Sequence, residues 1–176
     1  LLSWFSGEVK KTANRVVYAI ALSSKTVNNT STETSLISDN MLGSLSLPAE
    51  SLQQGSAYAF RASGYLSTAE AGPSTTLKVK LGSTVLYSAS MALSNNIANA
   101  YFDLFFEFTF RTVGETGTVQ GQGRTLIIPV SGGSSISRAM QMLAPVSIST
   151  TQDLLLDLTY TWSSANPANS ITVTNS

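Results

Sequence analysis

Residues 101–113 read YFDLFFEFTFRTV, and this stretch decides the fold. Its even positions from Phe102 to Phe110 are all apolar, while Asp103 and Glu107 stand at odd positions. A period of two is typical of a β-strand that is buried on one face. We therefore predict that residues 101–113 form the longest strand of the protein and the centre of its core.

The same alternation recurs from about residue 16 to the end of the chain, with turn residues between the runs. The Gly82-Ser83 pair predicts a hairpin, and Gly121 and Gly123 predict a bulge or a close backbone approach within a strand. Roughly nine or ten strands spaced in this way predict an all-β domain, a sandwich or barrel of antiparallel sheets. The clearest runs are residues 58–65, 77–81, 118–130 and 154–162.

Helix is predicted only in fragments. Residues 3–14 are compatible with one short helix, and residues 137–143 with a single helical turn. The chain has no evident linker or repeat period. We therefore divide it into an N-terminal arm or short helix, residues 1–15, and one β-sandwich domain, residues 16–176.

The composition argues against catalysis. The chain has no Cys and no His, which removes the commonest general base and the commonest metal ligands. Charged residues make up only 11% of the chain, with ten Lys and Arg against ten Asp and Glu, whereas 48 of 176 residues are Ser or Thr. Such an uncharged, hydroxyl-rich surface suits close contact with neighbouring molecules, because few ions must be desolvated there.

Two pairs of carboxylates are the strongest candidates for chemistry. Asp103 and Glu107, and likewise Asp153 and Asp157, are four residues apart. On a strand that spacing spans about 13 Å, too far for one metal ion or one scissile bond. We therefore predict no catalytic, cofactor-binding or metal residue, and leave calcium shared between subunits as a minor alternative.

The N-terminal segment offers a possible contact with nucleic acid. Lys10, Lys11 and Arg15 lie close to Trp4 and Phe5. Three cations would attract the phosphates of a nucleic acid only weakly, so the alternative interpretation of these residues is the solvated face of a helix. No apolar run approaches the ~20 residues that cross a bilayer, and we expect no membrane span.

Seven stretches of the chain stand in a characteristic order between residues 34 and 173. They are TSLI (34–37), LSLPA (45–49), YAFRASGYLST (58–68), TLKVKLG (76–82), FRTVG (110–114), LTYTW (158–162) and NSIT (169–172). In this order they resemble the small jelly-roll capsid and virion-surface proteins of simple viruses and phages.

The resemblance implies a single jelly roll of about 8–10 antiparallel strands. It also implies a coat protein, a structural subunit that assembles with copies of itself, and with other virion proteins, into an icosahedral virion shell. The family has no catalytic residues to transfer. Residues 1–15 do not have the strongly basic character that often begins small icosahedral capsid proteins. Either such a segment precedes residue 1, or the subunit lies on the outside of a particle.

Two other functions remain open. One is a trimeric decoration or receptor-binding domain on a virion surface. The other is a carbohydrate-binding sandwich, in which the aromatic side chains of Tyr65, Tyr87 and Tyr101 would stack on sugar rings. An enzyme ranks last.

Overall fold

The computed structural model describes residues 20–37, 39–42, 44–69, 72–130 and 134–175. The predicted N-terminal arm or helix, residues 1–15, lies outside the described residues. The predicted contact of Lys10, Lys11 and Arg15 with nucleic acid therefore remains a prediction.

Within the described residues the chain forms fourteen strands and one 3₁₀ turn, Ala49–Ser51. Nine of the strands have four residues or more, in agreement with the predicted number. The strands are β1 (Ile20–Ala21), β2 (Lys25–Asn28), β3 (Thr34–Ser35), β4 (Met41–Leu42), β5 (Ser46–Leu47), β6 (Ala57–Ser67), β7 (Ser74–Leu81), β8 (Thr84–Ala92), β9 (Ala100–Thr112), β10 (Gly117–Ile128), β11 (Ile136–Gln141), β12 (Val146–Ile148), β13 (Leu154–Trp162) and β14 (Ser170–Asn175).

Two antiparallel sheets form the domain. The larger sheet has the order β11-β10-β9-β6-β14-β2, and β12 adds to it by pairing with β10. The smaller sheet has the order β3-β13-β7-β8, and β5 also pairs with β13. Strands β1 and β4 form a separate two-stranded ribbon.

The strand order is that of a jelly roll. The chain passes from β2 in the larger sheet to β3 and β5 in the smaller one, returns to β6, crosses to β7 and β8, and returns to β9. After β10, β11 and β12 extend the larger sheet, β13 lies in the smaller sheet and β14 in the larger one. Within the two sheets, this winding gives two sets of four neighbouring strands, β2-β14-β6-β9 in the larger sheet and β3-β13-β7-β8 in the smaller one. The predicted fold class is confirmed.

The core lies between the two sheets. The inward positions of β9 that were predicted to be buried are at most 1% exposed, and β9 is the longest strand. Its rings contact neighbours in both sheets: the centroid of Phe106 lies 6.4 Å from Tyr87 on β8, and that of Phe108 lies 5.5 Å from Tyr58 on β6. Residues Leu77, Val79 and Leu81 on β7 are fully buried. The alternation in the sequence therefore identified the buried side chains of these strands correctly.

The glycines in β10 allow a close approach between strands. A Cβ atom at Gly121 would lie 2.6 Å from the Glu107 carbonyl oxygen, and one at Gly123 would overlap with the Phe105 carbonyl oxygen. The irregularity in register between β9 and β10 falls elsewhere, between Thr118 and Val119. The close approach, rather than a bulge, is therefore the role of these two positions.

The helical turn predicted for residues 137–143 is wrong. Residues 136–141 form β11, which pairs with residues 122–127 of β10 in a continuous antiparallel register. The edge of β10 offers a row of backbone donors and acceptors, and pairing with it outweighs the weak local helix preference.

Candidate functional site

Three exposed apolar side chains form a row on the outer face of the larger sheet. Tyr65 on β6 lies opposite Tyr101 on β9, which in turn lies opposite Ile128 on β10. Their residues are 45%, 42% and 41% exposed. Odd positions of β6 and β9 point away from the core, so the alternation that buries the phenylalanines also presents these rings to solvent.

The two tyrosines line an open cleft of about 480 Å³ together with Gly64 and Asn99. Asn99 belongs to the connection between β8 and β9 and has a left-handed backbone, with φ of 50°. Its backbone N–H donates to the Ser67 hydroxyl at 3.1 Å. One wall of the cleft is therefore attached to the end of β6.

The connection that carries Asn99 is held by further hydrogen bonds. The Thr68 hydroxyl donates to the Ser94 carbonyl at 2.7 Å and accepts from the Ile97 N–H at 3.0 Å. The Thr68 N–H donates to the Ile97 carbonyl at 2.9 Å. Thr68 thus attaches residues 94 and 97 of the connection to the end of β6, beside the bond between Ser67 and Asn99.

An ion pair supports the same cleft from one side. Arg61 Nε donates to Asp103 Oδ1 at 2.9 Å. The Asp103 side chain is only 5% exposed although it lies on an outward-facing position, whereas that of Arg61 is 66% exposed. Hydrogen bonding and charge from Asp103 raise the pKa of Arg61, and the nearby Tyr101 hydroxyl adds a smaller effect in the same direction. The guanidinium thus pairs with a buried carboxylate on the same sheet face as the two exposed rings.

The structure brings together two of the three tyrosines suggested for sugar stacking. Tyr87 is not part of the cleft, because its ring packs towards Phe106 in the core and its hydroxyl donates to the Ala139 carbonyl at 3.2 Å. Asn99 and Arg61 were not considered as site residues, and Asp103 was considered only as a member of a carboxylate pair. Their link to Tyr101 depends on the register of two strands, which leaves no local signal in the sequence.

A second groove, of about 450 Å³, crosses the other end of the same face. The small side chains of Ala57 and Ala59 form its floor next to the longer side chains of β9 and β10. Gln122 Nε2 donates to Glu107 Oε1 at 2.7 Å, and Arg111 donates to Gln120 Oε1 at 3.1 Å. These polar groups satisfy one another, which is the ordinary arrangement of a solvated sheet face.

Each member of the two carboxylate pairs has its own structural partner. Asp103 binds Arg61 and Glu107 binds Gln122, while Asp153 accepts from the Ala49 N–H at 3.0 Å and Asp157 from the Ser35 hydroxyl at 2.6 Å. Across the residues that the structure describes, no group of three or more acidic side chains is placed to hold a metal ion.

The outer face of the smaller sheet carries a charge cluster around Glu33. Its carboxylate accepts hydrogen bonds from Lys78, from Lys80 at 3.2 Å and from the Thr159 hydroxyl at 2.9 Å. These bonds, with that of Lys78 the largest influence, lower the pKa of Glu33 from its ordinary value of 4.5 to about 2, against the opposing effect of burial. The two lysines predicted to face solvent or a partner are thus bound to Glu33.

We expect the variant Glu33→Gln to be less stable than the wild type by about 1–2 kcal/mol near pH 7, since 31% of the Glu33 side chain faces water and screens the ion pairs. The folded pKa lies below the ordinary value, so the charged carboxylate stabilises the fold above about pH 4.5. This contribution is lost as the pH falls towards about 2. Urea unfolding of both proteins at several pH values in this window measures the difference.

The variant Glu115→Gln, at an exposed position in the turn before β10, is the matched control for this titration. It removes one carboxylate without touching a lysine. A stability difference at Glu33 that stays constant from neutral to acid pH would contradict the ion-pair interpretation.

No protein-family model, curated protein or solved structure matches this chain. The fold class therefore rests on the strand order itself. Among the helices of the described ranges, none has the length and apolar character to cross a membrane.

Proposed function

We propose that this protein is a virus coat protein, a structural subunit that assembles with copies of itself into a virion shell. The observation that carries the proposal is the jelly-roll strand order, in a domain that exposes apolar side chains on its connections and on the outer faces of its sheets. The order of sequence stretches between residues 34 and 173 supports the same family.

The exposed aliphatic side chains are suited to contacts between subunits. Leu143, between β11 and β12, is 90% exposed, and Val130, just after β10, is 78% exposed. Leu155, on the outer face of the smaller sheet, is 55% exposed. Burial of such groups against a neighbour stabilises an assembly by roughly 25 cal/mol for each Å² removed from water.

The exposed edge strand of the smaller sheet also supports assembly. Strand β8 is nine residues long, stands last in the order of its sheet and contains neither a charged residue nor a proline. Charges and prolines are the usual protection of an exposed edge against pairing with other chains. The Tyr87 hydroxyl bond to the Ala139 carbonyl covers part of this edge. Contacts with copies of the chain would cover the rest.

We expect the intact chain to sediment as a trimer or a larger symmetric assembly at micromolar concentration and near-physiological salt. The double variant Leu143→Ser, Val130→Thr should shift the distribution towards smaller species, because it removes apolar surface from the contacts. Ser83→Ala, at the exposed turn between β7 and β8, is the control and should change nothing. Analytical ultracentrifugation and electron microscopy measure both.

A monodisperse monomer under these conditions would contradict the proposal. Electron microscopy separates a closed shell from a discrete trimer, and the trimer would favour the decoration domain. Deletion of residues 1–14 tests whether the N-terminal arm, including the apolar residues 1–5, contributes to assembly by packing on a neighbour.

A further inference from the structure

We infer that the cleft between Tyr65 and Tyr101 binds an uncharged sugar ring of a glycan. This inference goes beyond the structural role proposed above and does not depend on it, because the cleft is complete within one chain.

The two tyrosines provide the apolar part of the site. Directly opposite residues on neighbouring antiparallel strands have Cα atoms about 4.5–5.5 Å apart, so both rings rise from one small area of the sheet. Each residue is more than 40% exposed, although tyrosine rings on a sheet face commonly pack against neighbours. An aromatic face left open to water attracts the C–H face of a sugar ring, and its hydroxyl adds a polar contact.

Asn99 provides the polar part. Within the described part of the chain its side-chain amide makes no hydrogen bond, so two donors and an acceptor are available at the rim of the cleft. The backbone of Asn99 lies in the left-handed region, which asparagine adopts readily, and its N–H is bonded to the Ser67 hydroxyl.

The charges near the cleft favour a neutral ligand. Arg61, the cation nearest to Tyr101 in the two paired strands, is already paired with the buried carboxylate of Asp103. An acidic sugar would therefore meet no unpaired cation at this ion pair.

The shape of the cleft favours a sugar over a second copy of the chain. The cleft is open and is lined by Gly64, Tyr65, Asn99 and Tyr101, so it offers contact to a single ring rather than an extended docking surface. The polar rim of Asn99 suits a ligand that carries hydroxyl groups around an apolar face. An interface between flat sheets would instead use the whole row and would bury Ile128 together with the tyrosines.

The test uses the intact chain on an immobilised panel of uncharged oligosaccharides ending in galactose, glucose, mannose or N-acetylglucosamine, with sialylated oligosaccharides and a proline-rich peptide alongside. Saturation-transfer NMR with the corresponding methyl glycosides, at millimolar concentration, detects weak binding. We expect at least one uncharged sugar to bind. Tyr65→Ala and Tyr101→Ala should each weaken binding by about tenfold or more, whereas Tyr65→Phe should retain most of it.

Three further variants make the result specific. Asn99→Gly keeps the left-handed backbone and removes the amide, so it should weaken binding even if a tyrosine variant fails to fold. Tyr87→Phe and Ile128→Ala lie outside the cleft and should bind as the wild type does. Sedimentation of Tyr65→Ala should equal that of the wild type, which separates this site from assembly. The inference is overturned by binding of no panel member, by preference for sialylated sugars or the peptide, or by equal loss in Ile128→Ala.

Discussion

We expect the variant Phe106→Ala to lose about 3–5 kcal/mol of unfolding free energy, because it opens a cavity in the centre of the sandwich. Phe106 is fully buried on β9, lies opposite Phe60 on β6, and its ring centroid is 6.4 Å from that of Tyr87 on β8. Its ring also lies close over the backbone of Gly121. These neighbours belong to strands that are held in place by hydrogen bonds and cannot collapse into the space.

The neighbouring variant Phe105→Ala is the matched control, since it removes the same side chain from the same strand. Phe105 points to the outer face, where it is partly exposed, and its truncation should cost about 1 kcal/mol. Urea titrations compare the midpoints of the two variants at an unchanged slope. Equal losses at both positions would mean that the assignment of faces on β9 is wrong.

The variant Gly64→Ala should be destabilised by about 3 kcal/mol, although it adds a single methyl group. A Cβ atom at Gly64 would overlap with the carbonyl oxygen of Thr172 on β14 and would come within 2.9 Å of its carbonyl carbon. Both are backbone atoms of a strand that is paired on two sides, with β6 and with β2. The added atom must therefore push β14 away from β6 or distort both strands.

Hydrogen exchange locates this damage. In Gly64→Ala the amides of β14 should exchange faster than in the wild type, while those at the β7–β8 hairpin of the other sheet should keep their relative protection. Ser63→Ala, the adjacent position with a Cβ atom already present, is the control and should stay within about 0.5 kcal/mol of the wild type. A Gly64→Ala protein as stable as this control would show that β6 and β14 can separate without cost.

The strands and their buried faces could be predicted because every second side chain of a β-strand points to the same face, so a half-buried strand alternates apolar and polar residues. Residues 101–113, 77–81 and 154–162 alternate, and the apolar side chains on the inward face of each run are buried in the structure. Residues 137–143 were predicted wrongly, because β11 has no clear alternation and takes its conformation from the edge of β10. Thr159, on the polar face of β13, is buried by Glu33 above it, which alternation does not anticipate.

By itself the sequence determined the all-β class, the central strand and the inward side chains. It also determined that no chemistry of this chain can use a His or Cys side chain, because the sequence contains neither. Only the tertiary structure decided which outward residues meet. Tyr65 and Tyr101, Arg61 and Asp103, and Glu33 and Lys78 are far apart in the chain and become neighbours through strand register or through a connection crossing a sheet. Register depends on the pairing of all strands together, so the exposed cleft and the charge cluster arise from backbone hydrogen bonds between distant segments, which no local pattern encodes.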